Sequence, residues 1–189
     1  MHRTEYFFLA FTYFIYHASG SRNTRSEGQC VDYYSSGGNY DLSELPAQMY
    51  AVYFWPPNQR QRDNCENISF KKLDRDEATQ ATRECYSINV SSNDTVMRGT
   101  YVTSAGKSKN LLYYGSEEVK NMYKACDKTI SKYIFLKVND NYVLGINCSA
   151  GGRGVLLSRF LAGAAEVRAV ANSIAIMTGR EGSPDCPLR

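Results

Sequence analysis

From residue 47 onward, short runs of β-branched and aromatic residues alternate with breaks rich in glycine, asparagine and other turn residues. Runs of this length and spacing, mostly without helical segments between them, are typical of antiparallel barrels and sandwiches. We therefore expect a barrel or sandwich of eight strands, at residues 47–55, 65–73, 82–90, 96–104, 109–115, 130–138, 142–148 and 154–159.

Two segments depart from the strand pattern. The first, Ser116–Lys128, opens with a Ser-x-Glu start and predicts a short helix between two strands. In the second, residues 161–179, apolar side chains recur at three-to-four spacing and Gly179 can end the segment. This spacing predicts an amphipathic helix whose apolar positions include Val167, Val170, Ala171, Ile174 and Met177.

Strict alternation divides the first predicted strand into two faces. The inward face would hold Ala47, Met49, Ala51, Tyr53 and Trp55, and the outward face Tyr50, Val52 and Phe54. Trp55, the only tryptophan, would then be either a ligand contact or ordinary barrel filling. Because the outward face is apolar and needs a cover, we expect the helix at 161–179 to pack against it.

The N-terminal segment has the order of a secretory signal. A basic residue, Arg3, precedes an apolar run at residues 6–16, and Ala18 and Gly20 supply the small residues needed for cleavage. A membrane anchor is the alternative, although the run is shorter than the roughly 20 residues that span a bilayer. The expected organisation is a signal peptide at 1–20, an N-terminal arm at 21–46 and one domain at 47–189, secreted and extracellular.

Composition excludes several kinds of chemistry. Both histidines, His2 and His17, lie in the segment expected to be cleaved, which excludes a Ser-His-Asp triad, a Cys-His pair, and imidazole-ligated zinc or haem. The net charge of +3 is spread along the chain, and no later apolar run is long enough to cross a bilayer. We expect no metal, no nucleic-acid partner and no integral membrane segment.

The six cysteines all lie after the expected signal peptide. Three disulfide bonds are the natural interpretation of an even number, and spacing alone allows fifteen pairings. None of the cysteines occurs in a Cys-x-x-Cys motif, which argues against zinc or dithiol redox chemistry. Sequons for N-glycosylation occur at Asn67, Asn89, Asn93 and Asn147.

Three motifs, taken in order, resemble the lipocalins, particularly the insect bilin-binding and apolipoprotein D-like branch. "NYDLSELPAQMYAVYFWPPN" is similar to the family's opening block, "KVNDNYVLGINC" to its second, and "VLLSRFLAGAAEVRAV" to its third, with Arg159 at the arginine position. The resemblance implies an all-β fold, an eight-stranded antiparallel up-and-down barrel with one C-terminal α-helix packed outside.

The resemblance also assigns the base of the barrel and the disulfide pairs. The family's tryptophan position falls on Met49, so Met49 and Arg159 would close the base without an aromatic face. The implied disulfide pairs are Cys30 with Cys148, Cys65 with Cys186, and Cys85 with Cys126. The pair of Cys85 with Cys126 would anchor the segment at 116–128 as a fixed lid over the open end.

If Cys65 and Cys148 face outward, alternation orients two further strands. Their inward residues would be Ile68, Phe70, Val143, Gly145 and Asn147. An inward Asn147 would stay unglycosylated, so the expected glycan sites are Asn67, Asn89 and Asn93. No lysine or acidic residue stands out as an inward counter-charge.

By this resemblance, the protein would be a carrier of one small hydrophobic ligand, with no obligatory cofactor. Candidate ligands are a bilin or other pigment, a fatty acid, a sterol-like lipid or a small signalling molecule. The expected ligand-lining residues are Ala51, Tyr53, Trp55, Ile68, Phe70, Tyr86, Tyr101, Val143 and Gly145. The alternative is an immune-modulating or other interaction protein that binds a protein partner through its open-end loops. An enzyme is not expected, because catalysis in the barrel would need an unpaired cysteine.

Overall fold

The structure, a computed structural model, describes residues 40–59, 61–83, 90–91, 94–103, 106–115, 120–124 and 130–188. Within these ranges, one antiparallel sheet contains β1 (Gln48–Trp55), β2 (Glu66–Lys72), β3 (Val96–Val102), β4 (Ser108–Tyr114), β5 (Lys120–Lys124), β6 (Ile130–Lys137), β7 (Tyr142–Asn147), β8 (Arg153–Ser158) and β9 (Ser183–Pro184). Strands β1 to β8 pair in sequence order, and β1 also pairs with β8. The predicted eight-stranded up-and-down barrel is therefore confirmed.

Helices cover the outside of this barrel. They are α1 (Arg75–Arg83) and α2 (Ala164–Ser173), with 3-10 turns at Leu42–Glu44, Cys148–Ala150 and Ala175–Met177. Val167 and Ala171 of α2 are buried in an outer apolar cluster with Val52, Leu144 and Leu156 of the barrel. The expected packing of a C-terminal helix against the outward face of β1 is confirmed.

The strand predicted at 82–90 is wrong in its described part, because Thr82 and Arg83 end α1. Residues 84–89 lie outside the described ranges. The helix begins at a capping box that the strand prediction overlooked. The Glu77 amide donates a 2.8 Å hydrogen bond to the Asp74 carboxylate, and the Asp74 amide donates a 3.3 Å bond to the Glu77 carboxylate. Ala81 then packs on the outer face of β3 and β4.

The helix predicted at Ser116–Lys128 is also wrong where the chain is described, since residues 120–124 form β5. In β5, Met122 pairs with Tyr113 of β4 on one side and with Ser131 of β6 on the other. A strand in this position connects β4 to β6 and so completes the barrel, and this tertiary pairing outweighs the local helix signal. The remaining residues of the segment lie outside the described ranges.

A β-bulge in β1 changes which residues of this strand face the inside of the barrel. Opposite β8, Ala51 pairs with Leu157 and Tyr53 pairs with Leu156, so that Val52 is an extra residue. A bulge of this kind puts two residues of one strand opposite one residue of its partner. Val52 and Tyr53 accordingly lie in the same outer cluster, and the alternation beyond them is reversed.

The two halves of β1 therefore differ in how well they match the predicted faces. A second apolar cluster lies inside the barrel, and we call it the inner cluster. Met49 and Ala51, before the bulge, belong to it as predicted. Tyr53 and Trp55, after the bulge, lie in the outer cluster, and Phe54 packs against the inner one. The predicted inward facing of Tyr53 and Trp55 and the outward facing of Phe54 are wrong for this reason.

Candidate ligand site in the barrel

The base of the barrel is closed by the segment that precedes β1. The Asp41 carboxylate caps the 3-10 turn at Leu42–Glu44 by accepting a hydrogen bond of 2.8 Å from the Ser43 amide. Leu42 is completely buried in the same inner cluster as Met49. This end of the barrel is thus filled by apolar side chains.

Arg159 lies at the base but is exposed. Burial raises the pKa of the Tyr40 phenol, and the nearby Arg159 guanidinium opposes that rise. Tyr40 donates a hydrogen bond of 2.7 Å to the Glu44 carbonyl oxygen. The aromatic neighbour of the arginine in this chain is therefore a tyrosine from the N-terminal segment. Ala47, expected inside, precedes β1 and is exposed.

An aromatic floor of Phe70, Tyr113, Tyr133 and Phe135 fills the middle of the barrel. Tyr113 lies 5.3 Å from Tyr133 and 5.1 Å from Phe135 between ring centroids. Two glycines permit this packing, because a Cβ at Gly145 would lie 2.6 Å from the Tyr133 hydroxyl and one at Gly99 would lie 3.3 Å from the Phe70 ring. Gly145, expected to line the ligand, is therefore covered by the Tyr133 side chain.

A further set of apolar side chains packs against this floor and the inner cluster, faces inward and is only half-buried. Five strands contribute to this set. We call the region the upper lumen; it consists of Phe54, Ile68, Leu111, Met122 and Val155. Such a set of side chains is the apolar surface that a small hydrophobic molecule could cover.

A charged network lies at the edge of the upper lumen. Glu66 pairs with Ala51 across β1 and β2 and so faces inward. The Arg62 guanidinium lies 2.6 Å from the Glu66 carboxylate and 3.2 Å from the buried Asp185 carboxylate, and it stacks 5.7 Å from the centre of the Phe54 ring. Burial raises the pKa of Glu66, and Arg62 opposes that rise. The expectation of no inward lysine or acidic residue is therefore wrong, because the buried Lys120, which pairs with inward Tyr133, is a second inward charge.

This network borders an open groove of about 590 Å³ at the mouth of the barrel. The groove joins the ends of β2 and β3 to the loop after β1. Its lining residues are Arg62, Asp63, Asn64, Cys65, Glu66, Asn67, Tyr101, Val102 and Thr103. A ligand that entered the upper lumen from this side would meet charged and phenolic groups first.

The structure places the residues predicted to line a ligand in three groups. Ala51, Phe70 and Val143 are buried in the inner cluster, Ile68 packs against it, and Tyr101 and Gly145 pair with inward residues; their roles as ligand contacts remain predictions. Tyr53 and Trp55 face outward, so they do not line the lumen. Tyr86 lies outside the described residues.

Sequence reasoning missed part of the site. Phe54 was assigned to the wrong face because the bulge is not visible in the run "AVYFW". Glu66 could have been found, because inward Ile68 and Phe70 require the residue two positions earlier to face inward as well. The residues missed in the upper lumen and floor are Phe54, Leu111, Met122, Val155, Tyr113, Tyr133 and Phe135.

One predicted disulfide bond is confirmed. Cys65 is bonded to Cys186 with their Cα atoms 4.9 Å apart. Cys148 is also disulfide-bonded, to a partner outside the described residues. Its pairing with Cys30 and the bond between Cys85 and Cys126 stay predictions, because those three cysteines lie outside the described residues.

Only two of the four sequons lie in the described residues. Asn67 is exposed, and Asn89 and Asn93 fall outside the described ranges. Asn147 is half-buried, and its side chain accepts a hydrogen bond of 3.1 Å from the Ala150 amide. Glycosylation of Asn67 stays a prediction on an accessible side chain.

The floor phenols predict a measurable dependence on pH. Burial raises the pKa of Tyr113 and of Tyr133 above the ordinary value of about 10. Their contribution to stability is fully present below about pH 10 and is lost as the pH rises through the folded-state values, because the unfolded chain releases these protons earlier. In an ultraviolet titration we expect these two phenols to ionise only when the protein unfolds. Tyr113→Phe and Tyr133→Phe should each reduce by one the number of tyrosines that ionise only on unfolding. Ionisation of every tyrosine near pH 10 in the folded protein would contradict this.

The strand order, the turn under the base and the outer helix together define a lipocalin-type barrel. No protein-family model and no curated protein matches the chain. Among solved structures, apocrustacyanin C2 is similar over 88% of this chain and 85% of its own, with 14% identity and a TM-score of 0.43. Apocrustacyanin C1 is similar over 89% of this chain and 87% of its own, with 14% identity and a TM-score of 0.44. In the described residues, no helix has the length and apolar character to cross a bilayer.

Proposed function

We propose that this protein is a lipocalin that carries one small apolar or amphipathic molecule in the upper lumen. The observation that carries the proposal is the set of half-buried, inward-facing apolar side chains that pack against the aromatic floor. Covering such a surface removes apolar area from water, which favours binding of a hydrophobic ligand. An eight-stranded barrel is wide enough for one such ligand.

The three sequence blocks support membership of the bilin-binding and apolipoprotein D-like branch, with a bilin, a fatty acid or a sterol-like lipid as ligand. Secretion is supported by the signal-like segment at 1–20 and by the bond between Cys65 and Cys186, because disulfides persist in oxidising compartments. We propose no obligatory cofactor and no catalytic activity. In support, the cysteines of the described residues, Cys65, Cys148 and Cys186, are all disulfide-bonded.

Two adjacent residues of β4 provide a matched test of the site. Leu111 faces the upper lumen and Asn110 faces solvent. We expect Leu111→Asp to weaken binding of a fluorescent apolar reporter by about tenfold or more, because it places a carboxylate against the ligand. Asn110→Asp introduces the same charge on the outer face and should leave binding unchanged.

The measurement is a titration with N-phenylnaphthylamine, together with native mass spectrometry of protein purified from its source. A co-purifying molecule at one per chain would support the carrier and name its ligand class. Equal reporter affinity in both variants would contradict a ligand site in the upper lumen.

A second candidate, a protein that binds a partner through its open-end loops, is favoured by two exposed apolar side chains. Val102 ends β3 and Ile130 begins β6, both at the mouth of the barrel, with 61% and 50% of their surfaces exposed. If this candidate holds, the wild-type protein should co-purify with a partner protein and should not bind the reporter. The double variant Val102→Ser with Ile130→Ser should lose that partner protein.

A further inference from the structure

Several polar side chains face the otherwise apolar inside of the barrel. Glu66 lies opposite Ala51, and Tyr101 lies opposite Ile68 on the same face. The Glu66 side chain is only 12% exposed and borders the groove at the mouth. A carboxylate in this position accepts hydrogen bonds and donates none.

Two buried phenols extend this polar surface inward. Tyr113 and Tyr133 are more than nine-tenths buried. Tyr113 lies within electrostatic range of Tyr101 and Glu66. A phenol hydroxyl can both donate and accept a hydrogen bond, so the Tyr113 hydroxyl can meet the polar group of a ligand that reaches it.

The balance of charge at the mouth decides which polar group fits. One guanidinium, that of Arg62, is shared between the carboxylates of Glu66 and Asp185. The network therefore has one more negative than positive charge. Lys109 pairs with Tyr101 nearby, but it is exposed, and water screens its charge. A ligand carboxylate would meet a site that is already acidic.

We infer that the ligand is an amphipathic molecule whose polar end donates hydrogen bonds and carries no negative charge, and that this end is bound at Glu66, Tyr101 and Tyr113. The apolar body of the ligand lies against the upper lumen. The inference rests on the proposed function and narrows it. Neutral sterol-like lipids, long-chain alcohols and amines satisfy it, and fatty acids do not.

The test is displacement of N-phenylnaphthylamine by three probes with the same alkyl chain: dodecanol, dodecylamine and dodecanoate. In the wild type we expect dodecanoate to bind about tenfold more weakly than dodecanol, because like charges are brought together without compensation. Glu66→Gln should remove most of this difference in affinity and should weaken the binding of dodecylamine. Glu44→Gln makes the same charge change on an exposed residue at the base and should change the affinity for none of the three probes.

A second variant tests the buried phenol separately. Tyr113→Phe keeps the ring and removes the hydroxyl. It should therefore lower the affinity for dodecanol by about threefold to tenfold and leave the affinity for the apolar reporter unchanged. Wild-type protein that binds the reporter but prefers dodecanoate would overturn the inference and leave the carrier function standing. Protein that binds neither the reporter nor any of the three probes would overturn both.

Discussion

Replacing both Cys65 and Cys186 with serine should lower the free energy of unfolding by about 4 to 5 kcal/mol, since the bond closes a loop spanning 121 residues. The bond also holds the C-terminal tail on the barrel, where β9 pairs with the second half of β1. Loss of the tail should expose Trp55, which is 3% exposed in the intact fold. Urea denaturation and the tryptophan emission wavelength measure the two effects.

A control separates the covalent link from the ionic one beside it. Asp185→Asn keeps the disulfide and removes the carboxylate that lies 3.2 Å from Arg62. We expect this variant to lose less stability than the double serine variant and to keep Trp55 buried. If the double serine variant loses less than about 1 kcal/mol, the bond does not restrict the unfolded chain as the loop-entropy account requires.

Much of the fold could be predicted because strand spacing and turn residues are local signals. The two exceptions have opposite physical causes. At α1, a local signal was present and overlooked, since Asp74 and Glu77 form a capping box. At β5, the local signal favours a helix, and only pairing with β4 and β6 makes the segment a strand.

The candidate site was harder to predict because it depends on register. Strict alternation correctly places Met49 and Ala51 inside, but a single extra residue, Val52, reverses every later position of β1. A run of consecutive apolar residues hides such a bulge, since either face of the strand could be buried. The packing of Tyr133 over Gly145 depends on pairing between β6 and β7, which no short segment encodes.

Trp55→Ala should lower the free energy of unfolding by about 3 to 5 kcal/mol and leave ligand affinity unchanged. The indole packs outside the barrel, 4.6 Å from the Tyr53 ring between centroids. It is also so close to the tail that a Cβ at Gly182 would lie 2.6 Å from its Cδ1 atom. Removing it leaves a cavity between the barrel and the tail, not in the lumen. Far-ultraviolet circular dichroism in urea measures the loss, because the variant has no tryptophan.

The adjacent Phe54 should show the opposite pattern, because the bulge turns it toward the upper lumen. Phe54→Ala removes a half-buried ring, so it should cost less stability than Trp55→Ala and weaken reporter binding by about tenfold. Trp55→Phe keeps most of the outer packing and serves if Trp55→Ala does not fold. Strict alternation along β1 predicts the reverse assignment of roles. Reporter affinity that falls in the Trp55 variants and not in Phe54→Ala would therefore show that Trp55 faces the ligand and that the bulge is absent in solution.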